Sequence, residues 1–172
     1  MYWRLRMLWD RVDAGALAFT AIAVGVIGAL IATAFGVFED RDARARRERE
    51  RHATNIDCLA RNVYFEARGE PLAGQYAVAE VTMNRRSRGL FRKSVCEVVY
   101  EPSAFSWTSQ RSLPAPRGEP WNRARKVADA VYWQRHTPIV HGARHYHATY
   151  VKPAWAKDMK PVARIGRHVF YP

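Results

Sequence analysis

Cysteine is the scarcest chemical resource in this chain. Two cysteines in 172 residues are too few for a disulfide-built miniprotein or a four-cysteine zinc site. No helix-turn-helix, zinc-finger or RNA-binding motif is present, which counts against nucleic acid as the partner despite a net charge of +12. Internal repeats are missing too, and the only low-complexity stretch is the charged run 39–51. Acids are few, with 16 Asp and Glu against 28 Lys and Arg. Charge of either sign is wholly absent from residues 14–38.

What remains describes one domain with an N-terminal appendage. The chain is 48% hydrophobic and 12% aromatic, enough to bury a core and to exclude a wholly disordered polymer. Residues 14–38 as a helix would extend roughly 37 Å, more than the about 30 Å of bilayer hydrocarbon. The readings for this segment are an uncleaved anchor, a signal peptide cut near Ala32-Thr33-Ala34, and a soluble core helix; the anchor is favoured because no polar face interrupts the segment. Three Arg precede the span and six follow it, which taken literally would hold the main domain in the cytoplasm. Those six Arg are interleaved with five acids, and a long C-terminal domain translocates regardless of such charge. The expected organisation is a tail over 1–13, a membrane helix over 14–38, a solvated charged linker over 39–54, helical or disordered, and a folded domain over 55–172. Residues 52–172 carry 19 basic and 9 acidic side chains, so the positive excess belongs to the domain and suits an anionic partner.

The hydrophobic pattern of the domain predicts helices over 57–68, 70–86 and 121–135, with Asn55 or Asp57 capping the first. A turn at Gly89 and a short helix before Tyr100 follow the second, and the proline-rich stretch 102–120 reads as a long loop. Strands are expected at 146–151 and 165–171. The class is α+β, mostly helical, with a small terminal β-sheet.

One carboxylate stands out. Leu59, Val63 and Glu66 fall on one helical stripe, and an acid on an inward-packing face is costly unless it is paired or functional. Partial burial would raise its pKa, as a general acid near neutral pH requires. A buried ion pair with an Arg such as Arg68 explains the same pattern equally well. Glu70, next to Gly69 and Pro71, reads as a helix N-terminal acid. His141, His145, His147 and His168 raise the alternative of a zinc amidase, although same-face histidines on a strand are common without metal. Trp107, Trp155, Phe105 and Tyr171 are candidates to present ring faces to sugars, with core packing as the alternative for each. Cys58 and Cys96 are a candidate disulfide pair if the domain is exported, and two buried thiols otherwise.

The run Cys58-Leu59-Ala60-Arg61-Asn62-Val63-Tyr64-Phe65-Glu66-Ala67-Arg68-Gly69-Glu70-Pro71 resembles the signature of the SleB-type, spore-cortex-lytic cell wall hydrolases. Further similar blocks follow in order: 74–79, Asn84-Arg85, 94–100, Phe105-Ser106-Trp107-Thr108, 142–148, 151–155 and 165–171. The resemblance covers residues 56–171. It implies a fold related to lysozyme-like lytic transglycosylase cores and cleavage of peptidoglycan between MurNAc and GlcNAc, with Glu66 as the catalytic acid and no metal or other cofactor. Gln75, Trp107, Tyr146, His147 and Trp155 are the expected substrate-binding residues. The expected partners are peptidoglycan and a membrane, without nucleic acid, for a monomer whose catalytic domain faces the wall from the inner membrane. Wall remodelling and phage-type lysis both fit, the latter because 12 of the 25 residues in 14–38 are Ala or Gly. A non-enzymatic basic binding protein is the remaining alternative.

Overall fold

The structure, a computed structural model, describes residues 14–87 and 93–172, with side chains from residue 17 onward. The expected tail over 1–13 and the turn expected at Gly89 lie outside the described residues. The chain divides into two compact units, with the division between Arg49 and Glu50.

Helix α1 runs without a break from Ala14–Ala67. In the first unit its apolar side chains, among them Phe19, Leu30 and Phe35, are exposed. This is the one helix among the described residues that is long and apolar enough to cross a membrane. The charged run that follows is helical, with Asp40 and Arg44 paired at 2.9 Å one turn apart. No Gly or Pro occurs between residues 37 and 68, and Ala, Arg and Glu are good helix formers, so nothing stops the helix. The helix start expected at Asp57 is therefore corrected. Asn55 does not cap α1; its Oδ1 instead accepts the Val95 N–H at 2.7 Å, while Asp57 pairs with Arg61 at 2.7 Å.

In the second unit, α1 ends at Ala67 and the chain turns through Gly69 and Pro71 into α2, Leu72–Arg86. Helix α3, Val95–Val99, is one turn long and is closed by a reciprocal capping box between Ser94 and Glu97. A 3₁₀ turn, Ser106–Ser109, interrupts the expected long loop. Helix α4 spans Gly118–Tyr132 rather than 121–135. Its end comes early because Gln134 takes a left-handed φ of 55°.

Helix α2 is the centre of the packing. Its Ala79 joins a core built from Leu59 and Val63 of α1, Val95 and Val99 of α3, Phe105, Trp107, and Ala124, Val127 and Ala128 of α4. Its Ala77, Val78 and Val81 face a second core with Ala67, Val140, Ala143 and Phe170. Cys58, at the edge of the first core, is disulfide-bonded to Cys96 in α3.

A three-stranded antiparallel sheet of order β1-β3-β2 completes the domain: β1 His145–Ala148, β2 Ala163–Ile165 and β3 His168–Tyr171. The stretch expected as one strand over 165–171 is thus a hairpin. Gly166 reverses it at φ 55°, and a Cβ there would collide with the Glu70 carboxylate. The register sets Tyr146 opposite Phe170 and His147 opposite Val169. The class is α+β and mostly helical, as the sequence predicts.

Candidate active site

Glu66 stands on the last turn of α1. Leu59 and Val63, on the same stripe, are fully buried, and Glu66 itself is half-buried. Three contacts fix the turn that carries it. Trp107 Nε1 donates to Asn62 Oδ1 at 2.9 Å, Asn62 Nδ2 donates to Thr82 Oγ1 at 3.0 Å, and the Phe65 ring stacks on Trp107 at 4.7 Å. The glutamate thus sits on a turn locked to both α2 and the 3₁₀ segment.

From the sheet, Tyr146 donates its hydroxyl to Glu66 Oε2 at 2.8 Å. Burial raises the Glu66 pKa, and the Tyr146 hydrogen bond and the Arg85 charge offset this only in part. Tyr146 is pushed well above the usual tyrosine value, by burial first and the facing carboxylate second. Its hydroxyl therefore stays protonated and donating. Arg85 is held in place by backbone carbonyls: Nε donates to Arg144 O at 2.6 Å and another guanidinium nitrogen donates to Ala104 O at 3.3 Å. Its guanidinium also lies 5.0 Å from the Phe105 ring centroid. Arg68, the partner an ion-pair explanation would use, lies over the Tyr64 ring instead.

Glu70 is treated in the opposite way. It is 6% exposed, and burial alone would raise its pKa. Arg167 donates its backbone N–H to Oε2 and its Nε–H to Oε1, both at 2.8 Å, and holds the carboxyl below its ordinary value. The macrodipole role expected for Glu70 is thus replaced by a clamp on the β2–β3 turn. Two neighbouring glutamates whose environments drive their pKa values apart are a mark of divided roles. Glu80, also buried, is committed elsewhere: it accepts from Ile139 N and Val140 N and bonds His136 Nε2 at 2.9 Å.

The remaining site expectations separate. His147 is fixed between Ala148 O and the Tyr171 hydroxyl, at 2.9 and 3.0 Å. Trp155, 43% exposed, packs its ring near His145, His147 and Tyr171 at 5.5, 5.7 and 5.4 Å, forming an open aromatic shelf beside β1. Trp107 is only 7% exposed and Gln75 1%, so both are largely enclosed by the fold. Trp107 supports the Glu66 turn through its bond to Asn62 and its stack on Phe65. Gln75 braces the turn after α1, its Nε2 donating to Glu70 O at 3.1 Å. No group of three or more His, Cys, Asp or Glu able to hold a metal occurs among the described residues. Sequence reasoning does not reach Arg85 as a site residue; the Asn84-Arg85 block is its only signal, with nothing to say which way the side chain turns.

Residues 69–171 match the family model for cell wall hydrolases. The chain belongs to the cell wall hydrolase family. Among curated relatives it is 34% identical over 118 residues to the spore cortex-lytic enzyme of Oceanobacillus iheyensis, covering 67% of this chain and 41% of that protein. It is also 34% identical over 117 residues to the spore cortex-lytic enzyme of Bacillus subtilis, covering 67% and 37%. The chain thus spans about two fifths of the length of these relatives. In three dimensions it is similar to the catalytic domain of the Bacillus cereus SleB protein, with TM-score 0.59 and 28% identity over 69% of this chain and 89% of that one. It is similar too to the catalytic domain of the germination-specific lytic transglycosylase SleB of Bacillus anthracis, with TM-score 0.58, 28% identity and coverage of 69% and 93%. The family match opens at Gly69, three residues past Glu66. It takes in Glu70, Arg85, Tyr146 and Arg167.

Proposed function

We propose that this cell wall hydrolase cuts peptidoglycan glycan strands between MurNAc and GlcNAc as a lytic transglycosylase, with Glu66 as the catalytic residue. The observation that carries the proposal is a single half-buried carboxyl, raised in pKa and held by Tyr146 at 2.8 Å. Protonated Glu66 donates its proton to the glycosidic oxygen as the C1–O bond breaks, and positive charge develops on the MurNAc ring. The carboxylate formed then takes the proton from the MurNAc C6 hydroxyl while that oxygen bonds to C1. The product is a 1,6-anhydro ring, and Glu66 returns to its starting state. A hydrolytic glycosidase needs a second carboxylate as nucleophile or to activate water. Glu70 and Glu80, the buried acids besides Glu66 among the described residues, are engaged by other partners. The names of the structural relatives support this reading, as does the open shelf of Trp155 and His147, which offers a sugar-sized apolar face.

In the same proposal the apolar part of α1 anchors the enzyme in the inner membrane, with its domain on the wall side. The exposed apolar side chains between Leu17 and Phe38 support that placement. Digesting purified peptidoglycan with the full chain in detergent tests the chemistry. Mass spectrometry of the products is expected to find anhydro-muropeptides, each lighter by one water than its reducing-end counterpart. Reducing-end sugars alone would replace the lytic route by hydrolysis.

Tyr146→Phe gives a pH test of the same site. The hydroxyl stabilises ionised Glu66, so removing it raises the Glu66 pKa further. Because the acid step needs protonated Glu66, the alkaline limb of the kcat profile is expected to move to higher pH. An unmoved limb would separate Tyr146 from the proton transfer.

A further inference from the structure

One cationic side chain near the site has no counterpart. Arg144 precedes β1, two residues before Tyr146, and its Nε is buried without a hydrogen-bond partner among the described residues. No ion pair among those residues includes it. A buried guanidinium N–H left unbonded is costly, and the native exceptions call for an explanation.

Arg144 lines an open cleft of about 450 Å³ together with Arg85, Lys93, Glu101 and His145. Lys93 and Glu101 pair with each other at 3.0 Å, so they add no net charge. Arg85 is already directed at two carbonyls and acts on the Glu66 charge. Arg144 is the surplus cation. The cleft is also firmly built. Arg85 ties the carbonyls of Ala104 and Arg144 together across it, and Ser103 on its rim takes a left-handed φ of 63°, rare for a residue with a side chain. Arg85 relates the cleft to the Glu66 site, since it lines the one and its charge acts on the carboxyl of the other.

A guanidinium presents a planar fork that matches a carboxylate, and such charge-assisted bonds are stronger than neutral ones. Glycan strands of the wall carry no carboxylate on their N-acetylated sugar rings; their carboxylates lie on the peptides attached to the muramyl lactyl groups. We propose that Arg144 seats a carboxylate of that peptide, so that the enzyme prefers peptide-bearing strands to stripped ones. This rests on the glycan-cleaving reading above and assigns it a specificity residue.

The test uses the full chain in detergent and three substrates: peptide-bearing strands, strands stripped of peptide by an amidase and then amidated at the lactyl carboxylates this exposes, and peptide-bearing strands with their carboxylates converted to amides. Wild type is expected to show a KM about tenfold lower on the first than on the other two, the order of one charge-assisted hydrogen bond. Arg144→Gln is expected to lose that preference, and Arg144→Lys to restore part of it. A folding defect in Arg144→Gln would lower the rates on all three substrates together and leave their ratio unchanged. The proposal is overturned if wild type treats the three alike, if amidated strands keep the low KM, or if Arg144→Gln keeps the preference. Failure to cleave any of the three would instead remove the glycan-cleaving reading, and this proposal with it.

Discussion

Glu66→Gln is expected to lower turnover on peptidoglycan by about 10³-fold, within the range attributed to general acid–base catalysis, with little change in KM or in thermal midpoint. The side chain keeps its length and an oxygen able to accept the Tyr146 hydroxyl, so the hydrogen bond at 2.8 Å has a successor. The lost function is the proton. An amide cannot protonate the glycosidic oxygen, and it cannot take up the C6 proton afterwards. Both halves of the proposed cycle therefore fail at one atom. The stability of the domain should rise slightly if it changes at all, because a carboxyl whose charged form is disfavoured by burial is replaced by a neutral group. Initial rates, paired with circular dichroism on the same preparation, separate the two effects. A variant that keeps wild-type rates would remove Glu66 from the chemistry and leave the family membership untouched, since the matched residues begin at Gly69.

The sequence makes the site half-legible, and the boundary has a physical cause. Glu66 can be found from the pattern because periodicity reports which face of a helix a residue occupies, and Leu59 and Val63 mark that face as the buried one. Tyr146 and His147 can be placed near the end of the chain by their strand-forming neighbours. Their hydrogen bonds cannot be, because the Glu66–Tyr146 contact joins residues 80 apart. The same limit explains Trp107. Nothing local distinguishes an aromatic ring on a sugar shelf from one that hydrogen-bonds Asn62 in the core. Glu70 reads locally as a helix-dipole acid, yet its partner is Arg167, 97 residues away. The hairpin at Gly166 is hidden for a related reason, since β-branched and aromatic residues on both sides read as one strand unless the turn chemistry is weighed more heavily. Continuous α1 is the reverse case. Its middle has no apolar stripe, but nothing in it ends a helix either.

Breaking the Cys58–Cys96 bond is expected to cost about 4 kcal/mol of stability, the loop-closure value for a sequence separation of 38. That is a large share of the 5–15 kcal/mol typical of a folded domain. The cost should fall first on α3. Five residues are far too few to hold a helix in water on their own. Their remaining supports are the capping box, the Asn55 bond to Val95 N and the burial of Val95, Val98 and Val99. Once α3 loosens, the core around Leu59 and Val63 loses a wall, and those residues share the stripe of α1 that carries Glu66. Activity is therefore expected to fail at lower denaturant in reduced protein, before the sheet comes apart. The measurement is a denaturant titration of the full chain with and without reductant, followed by far-UV circular dichroism and by rate, with the Cys58→Ala/Cys96→Ala double variant alongside. Coincident midpoints in all three samples would show that the bridge contributes nothing. A lower midpoint shared by the reduced protein and the double variant would tie the stability of the enzyme to an oxidising compartment, as the proposed placement on the wall side of the membrane requires.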